Sequence, residues 1–200
     1  MLGINLPVRT TRKRGDPAFA LDEIDAVARW VERGGSLLLI ADHAPFGAAS
    51  ESLAAAFHVA FGKDSSRCRT SRPIPWCSHA RTVGSVSTRY SPPPGTAASS
   101  PASRRSRASR STDRPRPLEL LRLPANAVEY VPNDTGMVEH PARRAQGLAM
   151  TWGRGRAVIL GEAAMLTAQV SQGKPFGFNL PGNDNRAFAL GVMHWLSHAE

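Results

Sequence analysis

Residues 64–117 contain no Leu, Phe, Glu or Lys. Of these 54 residues, 13 are Ser, 11 are Arg and 8 are Pro, so three residue types fill most of the segment. A stretch so poor in large apolar side chains cannot bury enough surface to offset its ordering entropy. Any hydrophobic core must therefore come from the two flanks, 1–63 and 118–200. Both flanks are rich in Leu, Ala, Val and Gly and carry helix and strand patterns.

Ser, Arg and Pro dominate when a GC-rich coding sequence is read out of phase. The idea can be tested on Pro75-Trp76-Cys77-Ser78, whose codons leave little freedom. With Ser78 in its four-fold codon box, starting each codon one base earlier gives Leu, Met or Val, then Val, then Leu or Phe. That is a buried-strand triplet. One consistent choice of codons in the same phase turns 64–91 and 106–117 into ordinary apolar runs bounded by turn residues. One insertion or deletion near Lys63 and a compensating one near Pro117 would account for this. The alternative is a disordered Arg/Ser linker. In both cases 64–117, as written, is expected to be irregular and without a packed core.

The charge balance follows the same boundary. The 11 Arg of the segment, against Asp64 and Asp113, account for the whole net charge of +9. The remainder balances at 14 basic and 14 acidic residues. A basic excess confined to one suspect segment does not support a nucleic-acid or anionic-membrane partner. Cys68 and Cys77 are the only cysteines and both lie inside it, so the flanks support neither a disulfide framework nor a Cys-based metal site. No apolar run approaches the ~20 residues of a membrane-spanning helix. Residues 1–14 are basic without a following apolar stretch, so they do not read as a signal peptide. No first strand is legible there, which leaves room for a natural start further upstream.

Two hundred residues suit one domain, 1–200. Residues 21–33 predict a helix, with Leu21, Ile24, Val27, Ala28 and Val31 on one face, Asp16-Pro17 as a start signal and Gly34-Gly35 as the stop. Residues 36–41, Ser-Leu-Leu-Leu-Ile-Ala, predict a strand buried on both faces, as in a parallel sheet. A loop over 42–47 leads to a second predicted helix, 50–61, with Leu53, Ala56, Phe57 and Ala60 on one face and Gly62 beyond it. This is the grammar of an open α/β sheet. Further on, 127–131 predicts a strand. Residues 147–152 and 156–161 predict a hairpin around Gly153-Arg154-Gly155. Residues 162–180 read as a loop holding one short helix near 163–168. A closing helix is predicted over 185–198, with Phe188, Val192, Trp195 and Leu196 on its buried face and Asn183 or Asp184 as its cap. Segments 36–41 and 156–161 should be neighbours or near-neighbours in one sheet.

Three stretches, WVERGGSLLLIADHAPFG, WGRGRAVILGEAAMLTAQ and PGNDNRAFALGVMHWL, resemble bacterial proteins of the DUF4350 type. The resemblance covers roughly 18–63 and 118–200, and the shifted-frame reading of the centre also looks like that family's central region. It implies a three-layer α/β domain of flavodoxin-like, class I glutamine amidotransferase-like architecture. It implies little chemistry, because relatives of that fold include ligand-binding and scaffold domains as well as enzymes.

In glutamine amidotransferases a Cys nucleophile occupies a tight strand-to-helix turn, where the helix N-terminus lowers its pKa. The comparable loop here reads Asp42-His43-Ala44-Pro45-Phe46-Gly47 and has no Cys, which argues against glutaminase activity. Asp42 and His43 follow a predicted parallel strand, where open α/β sheets place ligands. A carboxylate–imidazole pair can act as base and orienter, or Asp42 can serve the turn. Glu162 follows the strand of the hairpin and can join that edge, or sit at a helix N-terminus favoured by its dipole. Gln169, Asn183 and Asp184 add amides and a carboxylate suited to sugars or other polar ligands. His58 reads as solvent-facing or satisfied. His194 and His198 have the i,i+4 spacing of metal ligands but no nearby third partner. Trp30, Trp152 and Trp195 read as core or core-edge residues. Three functional classes stay open: a small-polar-ligand binding or sensing domain, a hydrolase using Asp42, His43 and Glu162, and a structural partner domain of a larger assembly.

Overall fold

The computed structural model describes residues 2–4, 16–41, 46–61, 65–68, 88–90, 116–123, 127–141, 145–171 and 173–198. The expected helix forms as α1 (Leu21–Glu32). Ile24 and Val31 are buried, and Val27 and Ala28 pack beside them. Leu21, the first residue of the helix, departs from the expected face and is 83% exposed. The N-cap is Ala20, not Asp16-Pro17. The Glu23 carboxylate accepts the Ala20 N–H at 2.8 Å, satisfying a backbone donor that an alanine side chain cannot. Gly34 ends the helix at φ 117°, a conformation open to glycine.

The apolar run that follows is β2 (Ser36–Ile40). It lies between two parallel partners, β1 (Leu2–Ile4) and β10 (Gly155–Leu160). The predicted neighbours are therefore adjacent, in register from Ser36 opposite Arg156 to Ile40 opposite Leu160. The three-residue β1 is a strand that the opening sequence does not reveal, since it is too short to display a period.

Burial on both faces explains the unbroken apolar run. Leu37 and Leu39 join Ala157, Ile159 and the helices α1 and α2 (Phe46–Ala56) in one core. Leu38 joins Val158, Leu160, Val192 and Leu196 on the opposite face, beneath α3 (Asn185–Leu196). Helices thus cover both faces of a mixed sheet.

The second helix starts earlier and stops sooner than its apolar pattern predicts. His58 adopts φ 59° and the Phe57 and His58 N–H groups close back on Ala54 and Ala55. The chain then extends into β3 (Val59–Phe61), in which Val59 and Phe61 are buried and Ala60 is exposed. Period two replaces the helical period because this segment pairs with another strand. Gly62, the predicted stop, lies outside the described residues.

That partner is β5 (Thr88–Tyr90), while β4 (Ser65–Cys68) pairs with β7 (Ala127–Asn133). Both β4 and β5 fall inside 64–117, so the expectation of an irregular centre does not hold at these two stretches. A ladder requires only backbone donors and acceptors, not apolar side chains. Most of 64–117 lies outside the described residues. The predicted strand 127–131 runs on to Asn133 and turns into β8 (Gly136–Pro141).

The predicted hairpin is β9 (Ala145–Trp152) and β10, joined by Gly153-Arg154 with Gly153 at φ 60°. Strand β6 (Leu118–Arg122) pairs with the far side of β9 through an irregular register. On β6 the Glu119 carboxylate accepts a 2.5 Å hydrogen bond from Arg122, and that bond and charge push the exposed guanidinium up from its usual value. Among the described residues the main sheet holds seven strands. The predicted loop 162–180 is more ordered than its sequence suggests. It forms a 3-10 turn (Ala164–Leu166) and a hairpin of β11 (Ala168–Ser171) and β12 (Lys174–Gly177). No described helix is long and apolar enough to cross a membrane.

Candidate functional site

Parallel strands deliver their C-termini to one edge of the sheet. There the next backbone groups leave the ladder and become available to ligands. Here that edge is formed by Ile40-Ala41 after β2 and Gly161-Glu162 after β10. The Ala41 N–H donates to the Leu160 carbonyl at 2.9 Å, holding the two strand ends together. Asp42 and His43 lie outside the described residues.

Glu162 is at this edge and only 7% exposed. Its Oε1 accepts the Ala164 N–H at 2.8 Å and so caps the 3-10 turn. This is the helix-terminal role that its position allowed. The turn packs against α3 and β12.

The amide residues are engaged in the same corner. Asn183 Oδ1 accepts the Asn185 N–H at 3.0 Å, and its Nδ2 donates to the Gly177 carbonyl at 2.9 Å. Asn185 Nδ2 donates to the same carbonyl at 3.2 Å. Asn183 is therefore the residue that closes the start of α3. Asp184 occupies the cap position in the backbone, is exposed, and makes no capping bond through its side chain. Gln169 is exposed on β11 and donates to Thr167 Oγ1 at 2.7 Å. These contacts brace the β11–β12 hairpin against α3, and Gln169 and Asp184 stay on the outer surface.

The edge also holds a residue that sequence reasoning did not single out. Gln146 lies on β9 beside Gly161, whose N–H donates to the Gln146 carbonyl at 2.8 Å. Its side chain is wholly buried, and neither Oε1 nor Nε2 has a hydrogen-bond partner among the described residues. Leu148, Met150 and Trp152 of the same strand belong to the core under α1 and α2. Strand alternation puts Gln146 on that face as well. The sequence did carry a signal: a Gln in the otherwise apolar or small run Ala145–Met150.

The histidines do not form a metal centre among the described residues, where no group of three or more His, Cys, Asp or Glu side chains converges. His198 lies past the end of α3 at φ 56°, with Nε2 3.0 Å from Ser36 Oγ. His58 stacks at a tilt on Trp152, 5.4 Å between ring centres. Trp152 is buried, and Trp30 and Trp195 are partly buried against the two cores, as their composition predicted.

A second feature lies on the opposite face. An open groove of about 430 Å³ runs between α3 and the surface of β6, β9 and β10. Among the described residues its lining is apolar apart from Arg116 and Thr151. Compared with family models, curated proteins and solved structures, the chain matches none.

Proposed function

We propose that this chain is a small-polar-ligand binding or sensing domain without glutaminase activity, and that its ligand reaches the carboxyl edge of β2 and β10. The observation that carries the reading is Gln146. A buried amide left without a partner costs stability, about 1–3 kcal/mol. Such a group calls for an explanation, and a bound polar molecule is one. It stands where open α/β sheets bind ligands. The parallel order β1-β2-β10 with helices on both faces supports a class I glutamine amidotransferase-like fold of DUF4350 type as part of the same proposal. The hydrolase reading rests on Asp42 and His43, which lie outside the described residues, and on Glu162, whose carboxylate caps a turn.

The test is ligand-observed NMR of the full chain with N-acetylglucosamine, adenosine and L-glutamine, repeated on Gln146→Met. The reading expects saturable binding of at least one probe that Gln146→Met removes. Binding that survives Gln146→Met, or no binding by any of the three, would overturn it.

A further inference from the structure

We draw no further inference here: the strongest candidate, the open apolar groove between α3 and the surface of β6, β9 and β10, is an unpartnered face, and nothing among the described residues shows what covers it.

Discussion

Replacing Gln146 by Met should make the protein more stable. Met has the same unbranched length as Gln, so the packing volume is nearly kept while both amide atoms are removed. Neither atom has a partner among the described residues, and the side chain is 0% exposed. An unsatisfied buried polar group costs about 1–3 kcal/mol, and replacing it by an apolar group of similar shape recovers most of that cost. The surroundings are suited to a thioether: Leu148 and Met150 continue the same strand face into the core. A gain of about 1–3 kcal/mol at a urea slope of about 2 kcal/mol/M raises the midpoint by roughly 0.5–1.5 M. The assay is equilibrium urea unfolding followed by tryptophan fluorescence and by circular dichroism, with coincident transitions required for a two-state reading. A lower midpoint in Gln146→Met would contradict this account. It would mean that the amide is satisfied in solution and holds the sheet edge together, so its burial would no longer point to a ligand.

Gly155→Ala should destabilise by about 1–3 kcal/mol or more in the same urea assay, because its Cβ would enter the backbone carbonyls of Val31 and Gly35, which cannot move aside cheaply. Asn183→Ala should cost about 0.5–2 kcal/mol and fray the start of α3, visible as faster amide exchange at Asn185, since it removes the bond that closes that helix. Arg156→Ala should lower the melting temperature: its guanidinium donates to the Trp195 carbonyl at 2.5 Å and lies 5.2 Å from that ring centre, contributing about 1–3 kcal/mol as a charged hydrogen bond at a helix C-terminus. Restoring the alternative frame across 64–117 should raise the urea midpoint, since each recovered buried side chain contributes about 1.5–3 kcal/mol against a total of only about 5–15. An equal or higher midpoint for the chain as written, together with a resequenced gene that keeps its frame, would show that 64–117 is a genuine linker.

Elements with local signals were legible along the chain. The Leu37-Leu38-Leu39 run, between Gly34-Gly35 and a polar loop, specified a strand buried on both faces. The Gly153-Arg154 turn specified the β9–β10 hairpin, and 3–4 periodicity specified α1 and α3. These features arise from neighbours along the chain, whose steric and apolar preferences do not need a distant partner. The remainder depended on packing between distant segments. The apolar pattern continued helically through Phe57 and Ala60, yet pairing with β5 pulled Val59–Phe61 into a strand. Leu21 matched the buried face by periodicity but is exposed at the start of α1. The candidate site followed the same division. Asn183 as a cap and Glu162 at a strand end could be read from position. That Glu162 spends an oxygen on Ala164, and that Gln146 is buried without a partner among the described residues, depends on β9 lying against β10. Burial and hydrogen-bond satisfaction are properties of a packed environment, and no single segment encodes them.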